Sequence, residues 1–441
     1  MDTSILITRL KTILVVMIIT VHATSAQSIG LLRDPDIEHG LQELADPIFL
    51  SAGIKTNNIK VLIVNDLSLN AFVIDNYHIF IHAGLILKLT SAEQLQSVIA
   101  HEAAHIANGH IARRVANMKR AKVSSAFGVL LAVAAVAGGD SKLGAGIALG
   151  TANSAQRVFL AHTRVEEASA DQAALRYLKD AKVNPASMSE VFQIFKGQMT
   201  LSLERQDPYT RSHPLNRDRI RAVNAYTSAA PISNENQTHS YWFKRIQAKL
   251  SGFLRTPKWT LAHAKGDDEI NLMRQAIANH RIGKGSLAKR KIDQLTSLHP
   301  KDPYYKELQG QILLENNEYT AAIKAYAEAA QLAPLNAQIL GSYGRSLLAI
   351  NTKSNNLTAL KNLQKARGLD NRDARILRDI GIAFARAGNE GQAVLAIAER
   401  YALLGDLKNA TLQAAKAEGL LSHGSTAWQR AQDILDTVTG P

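Results

Sequence analysis

The chain has 441 residues, 46% of them apolar, with a formal net charge of +13 and no cysteine. A length of this order supports about two or three domains with ordinary cores. The missing cysteine excludes disulfides, a thiol nucleophile and a lipid anchor on an N-terminal cysteine. The positive balance suits an anionic membrane surface or an acidic protein partner, but scattered basic residues and few aromatics give no nucleic-acid reading.

At the amino terminus, Arg9 and Lys11 precede an apolar run from Ile13 to Val21, and Thr24-Ser25-Ala26 offers small residues at the cleavage positions. This pattern predicts a secretory signal peptide over residues 1–26, cut after Ala26, and hence a periplasmic protein. The run is short for a membrane span, with an uncleaved anchor as the alternative. Further on, Ile59-Lys60-Val61-Leu62-Ile63-Val64 and Ile79-Phe80-Ile81 are β-branched runs separated by Asn and Asp, which predicts a small β-sheet. Such a sheet either closes the core alone or also offers an edge to which an extended substrate can add by backbone hydrogen bonds.

The next element carries chemistry. His101-Glu102-Ala103-Ala104-His105 is the pattern HExxH. Thr90 and Glu93 have capping-box spacing, so a helix is expected to start near residue 91. Leu95, Val98, Ile99 and Ile106 form its apolar stripe. Two histidines four residues apart share one helix face and can grip one zinc ion, with the glutamate beside its open position. Glu102 falls about 20° from the direction of Leu95, inside the stripe, where a carboxylate is costly without compensation. Two stray histidines on a surface helix would not require that placement.

Between this helix and the next motif, Ala126 to Ala137 and Leu143 to Ala152 are apolar arms around Gly138-Gly139-Asp140. Each is too short to span a bilayer, which leaves a buried helical hairpin or a flap over the cleft or membrane. Glu167-Ala168-Ser169-Ala170-Asp171 then places two carboxylates on one helix face. Glu167 is the expected third ligand and Asp171 the acceptor for the free ring N–H of a ligating histidine. Glu166 competes with Glu167 and loses on its spacing to Asp171. A third histidine ligand in the metzincin manner is excluded, because positions 108 and 111 hold Asn108 and Ile111. His110 stands at the wrong offset and reads as a packing residue. Downstream, His213-Pro214 is followed by Arg217, Arg219 and Arg221, which read as a solvated helix face.

The HExxH helix, the Glu-x-x-x-Asp helix and His213-Pro214 together resemble metallopeptidase family 48, the HtpX and CaaX prenyl endopeptidase-like zinc proteases. Asn70-Ala71-Phe72-Val73 and Ile79 to Leu85 resemble the strand pair ahead of that family's motif helix. The similarity covers roughly residues 30–225. It is greatest to the secreted members that carry a C-terminal repeat domain. Ala104 stands where the prenyl endopeptidase branch has glycine, which argues mildly against prenylated substrates. The resemblance implies that the His-Pro loop lies near the metal, so His213 either stabilises an oxyanion, blocks the open metal position, or only shapes its loop. It also implies clients among misassembled outer-membrane β-barrel proteins and docking to the barrel assembly machinery.

After residue 225, Asn234-Glu235-Asn236-Gln237 reads as a linker and Tyr241 to Leu254 as an amphipathic bridging helix. Pro300 and Pro334 are 34 residues apart, as are Gly310 and Gly344. Gly310, Ala322, Tyr326, Ala329 and Pro334 occupy the small and aromatic positions of a tetratricopeptide repeat, a period that a plain bundle lacks. Gly381 and Ala393 keep the spacing, Ala410, Ala414 and Ala417 continue it, and a short insertion falls near Lys353-Ser354-Asn355. Such a stack offers a concave surface to protein segments.

The expected fold is mostly α with a small β-sheet: a gluzincin-type HExxH metalloprotease domain over 27–230, a linker and bridging helix over 231–267, and about four repeats in a superhelix over 268–438. The expected activity is zinc-dependent endoproteolysis of misfolded or misassembled envelope proteins, with one Zn2+ on His101, His105 and Glu167, Glu102 as general base, and His213 close to the chemistry. No serine-hydrolase elbow, phosphate loop or dinucleotide fingerprint competes. A chaperone or assembly adaptor with a dormant site is the alternative; a hydrolase of non-protein polymers fits the repeats less well.

Overall fold

The computed structural model describes residues 30–111, 113, 164–202, 205–229 and 235–439. The expected signal peptide and the small-residue arms between Ala126 and Ala152 lie outside the described residues. Chain order explains the first layer. Helix α1 (Pro35–Ser51) is capped by Asp34, which accepts from the N–H groups of Asp36 and Ile37, both at 3.0 Å. Pro35 occupies the first turn, where its missing N–H costs nothing. Leu41, Leu44 and Ile48 of α1 pack into the core beside a four-stranded sheet.

Strands β1 (Leu31–Leu32), β2 (Lys60–Val64), β3 (Ala71–Val73) and β4 (His78–His82) stand in the order β1-β2-β4-β3. β2 and β4 are parallel, with Ile63 opposite Ile81, whereas β3 runs antiparallel with Phe72 opposite Phe80. The two apolar runs are therefore the central strands, covered on both faces. Val61, Ile63, Ile79 and Ile81 enter the main core, while Leu62, Val64 and Phe80 pack on the other face with Leu31 and Phe72. The strand expected to continue to Leu85 stops at His82, and Gly84 and Leu85 belong to helix α2 (Ala83–Lys88).

Helix α3 (Ala92–Ala107) carries the HExxH pattern. Its cap lies one residue later than the expected Thr90–Glu93 box: the Ser91 hydroxyl accepts from the Gln94 N–H at 3.2 Å, and the Gln94 amide oxygen accepts from the Thr90 N–H at 2.8 Å. Ser91 thus caps the helix, and Gln94 holds the N–H of the residue before the cap. Leu95, Val98 and Ile99 are buried, and the Gln96 amide donates to the Leu44 carbonyl at 2.9 Å, tying α3 to α1. Helix α4 (Arg164–Asp180) lies along α3 with Ala104, Ala170 and Ala173 at the contact. Small residues there let the two backbones approach closely enough for side chains one turn away to meet. Helices α5 (Ala186–Lys196), α6 (Pro208–Ser212) and α7 (Arg217–Ala229) close this part.

Helix α8 (Gln237–Leu254) begins a turn before the expected Tyr241, because Asn236 caps it by accepting from the His239 N–H at 3.1 Å. It buries two cations. Arg245 lies 2.8 Å from Asp36 and 2.6 Å from Asp302, and Lys249 lies 2.9 Å from Asp34. These pairs join the cap of α1, through α8, to the later helices. Buried ion pairs of this kind are weak evidence for stability but fix one docking geometry against others.

After α9 (Pro257–His263) come α10 (Glu269–Arg281), α11 (Gly285–Leu298), α12 (Pro303–Glu315), α13 (Tyr319–Leu332), α14 (Ala337–Ile350), α15 (Lys353–Leu369), α16 (Ala374–Arg386), α17 (Glu390–Leu403), α18 (Leu407–Leu420) and α19 (Thr426–Thr439), each packed on its neighbour. The 34-residue period has a steric cause. A Cβ on Gly310 would sit 2.8 Å from the Tyr326 ring, and one on Gly344 would sit 2.5 Å from Leu363. The inserted Lys353-Ser354-Asn355 forms the first turn of α15, entered through Asn351 at φ 57°. The stack then returns to the start of the chain: Arg33 lies 2.7 Å from Asp370, Lys60 lies 3.1 Å from Asp370, and Arg375 donates to the Arg33 carbonyl at 3.0 Å. Among the described residues, no helix is long and apolar enough to cross a membrane.

Candidate metal centre

Helix periodicity delivers the first three groups. His101 and His105 project from one face of α3 with their Nε2 atoms 3.1 Å apart. Glu167, in the first turn of α4, brings Oε1 to 3.4 Å from His105 Nε2 and Oε2 to 3.5 Å from His101 Nε2. His213, just past α6, adds Nδ1 at 3.3 Å from His101 Nε2 and 3.1 Å from Glu167 Oε1. All four side chains are buried, and one ligand atom from each lies within 4.8 Å of the others. Glu166, the competing carboxylate, instead faces Arg113 at 3.6 Å.

These spacings bear on whether a metal fits. Nitrogen and oxygen ligands about 2.0–2.1 Å from a tetrahedral ion stand about 3.3–3.4 Å from one another. The observed separations of 3.1–3.5 Å scatter about that edge. Donor atoms this close in a dry pocket must share either protons or a cation. Glu102 points the same way: it is fully buried, neither carboxylate oxygen has a hydrogen-bond partner, and Oε1 lies 3.4 Å from His213 Nε2. A cation with an attached water would compensate that carboxylate. The residues present fit a metal.

The surrounding groups orient the ligands. Asp171 Oδ1 lies 3.1 Å from His101 Nδ1, the nitrogen that faces away from the cluster. Such a contact fixes the tautomer and raises ligand basicity. Arg219 holds both carboxylates: Nε and Nη2 donate to Asp171 at 2.6 and 2.8 Å, and Nη1 lies 2.7 Å from Glu167 Oε2. Burial pushes Asp171 upward, but hydrogen bonds from Arg219 and His101 outweigh it and hold the group below the usual carboxylate value. Burial likewise opposes ionisation of Glu167, and the surrounding imidazoles overcome it, holding it well below its usual value. Burial would depress the His101 imidazole, yet the hydrogen bonds to Asp171 and Glu167 raise it to about 10. His105 goes the other way, depressed by burial despite Glu167. The carboxylates thus favour positive charge on His101, while burial keeps His105 neutral.

Two site residues differ from the sequence reading. Arg217 and Arg221 are exposed as expected of a solvated face, but Arg219 between them is buried and belongs to the site. Its partner lies 48 residues upstream, so no local pattern marks it. His110 was expected only to pack. Its Nδ1 lies 2.9 Å from His105 Nδ1. His110 stays outside the ligand cluster, but α3 ends before it: Asn108 caps the helix, and Gly109 at φ 67° swings the chain round so that the His110 ring reaches His105. The glycine was a readable signal, since the left-handed conformation at a helix end favours it.

Residues 31–227 match the model of Peptidase family M48. Over 433 residues, 93% of this chain and 85% of the relative, the sequence is 23% identical to the beta-barrel assembly-enhancing protease of Escherichia coli (strain K12). The protein so described from Yersinia pestis is 22% identical over 305 residues, 67% of this chain and 62% of its own. Among solved structures, MamA 41-end from Desulfovibrio magneticus RS-1 aligns with 36% of this chain and 92% of its own, at 19% identity and a TM-score of 0.32. With the metal-ligand cluster inside the matched span, the chain is similar, through residues 31–227, to Peptidase family M48 and is a metalloprotease.

Proposed function

We propose that this metalloprotease is a periplasmic zinc endopeptidase that hydrolyses misfolded or misassembled envelope proteins, outer-membrane β-barrel proteins among them. The observation that carries this reading is the convergence of His101, His105 and Glu167 beside a buried Glu102 without hydrogen-bond partners. Imidazole and carboxylate donors at tetrahedral spacing suit zinc. When bound, zinc polarises the scissile carbonyl and acidifies water.

The chain's own residues do the rest. Glu102 takes the proton of the attacking water and delivers it to the departing amine nitrogen. Asp171 holds His101 in the tautomer that presents Nε2, and Arg219 neutralises the paired carboxylates. β3, at the end of the strand order, presents a backbone edge to an extended client, which gives low sequence selectivity. We assign 27–230 to the protease domain, 231–267 to the linker and bridging helix, and 268–438 to about four repeats. The repeats recruit clients or dock on the β-barrel assembly machinery. The similarity to the beta-barrel assembly-enhancing protease of Escherichia coli supports that choice of client. His213 gives a specific reason to keep the second reading, a chaperone or adaptor with a dormant site: its Nδ1 stands at a fourth corner of the cluster.

Two measurements test the framework. The purified mature chain is expected to carry about one zinc, and Glu167→Gln to lower the occupancy. A variant that keeps full zinc by elemental analysis removes Glu167 from the ligand set. N-terminal sequencing of the exported protein is expected to start at Gln27, with fractionation into the soluble or peripherally held periplasmic pool. Retention of residues 1–26 makes the protein a membrane-anchored protease instead.

A further inference from the structure

His110 has no place in the mechanism above, yet it is 1% exposed and sits against a proposed ligand. On an unbroken helix it would lie about 140° around the axis from His105. The turn at Asn108-Gly109 instead folds it back, so that its ring meets the His105 ring at a centroid distance of 4.9 Å and an interplanar angle of 68°. The contact is directional: Nδ1 to Nδ1 at 2.9 Å. His105 has its other nitrogen, Nε2, among the clustered ligand atoms, 3.1 Å from His101 Nε2 and 3.4 Å from Glu167.

We infer that His110 is a positioning residue that accepts the His105 Nδ1–H and so holds the His105 ring in the tautomer and orientation that present Nε2 to the metal. The inference rests on the reading of His105 as a ligand. A neutral imidazole that gives its Nε2 lone pair to a metal carries its proton on Nδ1. That N–H needs an acceptor in a dry site. For His101 the acceptor is the Asp171 carboxylate; for His105 the same place is filled by a second imidazole, whose own proton must then sit on Nε2. A neutral acceptor beside His105 and an anionic one beside His101 make the two ligands unequal.

The test compares His110→Leu with His110→Asn, using Zn2+ alone as the probe in competition with a chromophoric chelator. Leucine fills similar volume without an acceptor, while the asparagine amide oxygen can take the place of the ring Nδ1. Loss of such a contact weakens metal binding by about 10–100-fold, so the leucine variant is expected to fall by that factor and the asparagine variant to stay within about threefold. A merely packing histidine predicts the reverse order, and equal zinc affinity in the leucine variant and wild type overturns the inference. If the leucine variant does not fold, nitrogen-15 imidazole spectra of the zinc-loaded wild type decide: the proton of His110 is expected on Nε2, and finding it on Nδ1 overturns the inference. Zn2+ affinity in the His105→Ala variant equal to that of wild type defeats the ligand assignment itself, which separates that failure from this one.

Discussion

Glu102→Gln is expected to leave fold and metal content intact and to lower peptide-bond hydrolysis by about 10²–10⁴-fold, the usual contribution of a positioned general base. The amide has the shape of the carboxylate but cannot accept the water's proton. Both carboxylate oxygens are buried and without hydrogen-bond partners, so the substitution breaks no internal hydrogen bond. It also removes a buried negative charge, so the variant should be no less stable toward heat. The measurement is cleavage of an unfolded client, with zinc content and melting temperature run in parallel. Equal cleavage by wild type and variant removes Glu102 from the chemistry. If neither cleaves while both support barrel assembly, the adaptor reading takes over.

What was legible in the sequence follows from periodicity. One helical turn relates His101 to His105, and another relates Glu167 to Asp171, so each pair's shared face could be read without coordinates. The choice of Glu167 over Glu166 came from the same geometry, and the structure brings Glu167 into the cluster while Glu166 turns toward Arg113. The repeats were legible because Gly310 and Gly344 recur where helices cross too closely for a Cβ. What escaped depends on how separate elements dock. Among Arg217, Arg219 and Arg221, only the orientation of α7 against α4 decides which one is buried on Asp171. The return of the repeats onto the start of the chain, through Arg33 and Asp370, is a contact 337 residues apart, and charge pairing has no period to announce it. His110 lies between these cases: its offset rightly excludes it from the ligand cluster, and its contact with His105 depends on the turn at Gly109.

His213→Ala is expected to raise basal cleavage of an unfolded protein by about tenfold or more, as happens when a closed state that leaves only a minor population open is removed. An exported protease with a permanently open metal position would endanger its neighbours. The geometry supplies a restraint: His213 Nδ1 stands 3.3 Å from His101 Nε2 and 3.1 Å from Glu167 Oε1, ligand spacing for a fourth position, while its Nε2 lies 3.4 Å from the proposed base. An imidazole there competes with the attacking water. The residue follows the short helix α6. Its N–H donates to the Tyr209 carbonyl at 2.8 Å, the Tyr209 ring lies 4.8 Å from its own, and Pro214 fixes the backbone that follows. Tyr209 in turn stacks on Phe195 at 4.7 Å, so the loop can leave only by moving a packed unit. We propose that client binding on the repeats supplies that movement. The competing role has the opposite sign: a histidine that stabilises the transition state would, when removed, lower activity by about 10²–10³-fold with metal retained. An unchanged rate at unchanged metal content would leave His213 as a residue that only shapes its loop, and would end both active-site roles together.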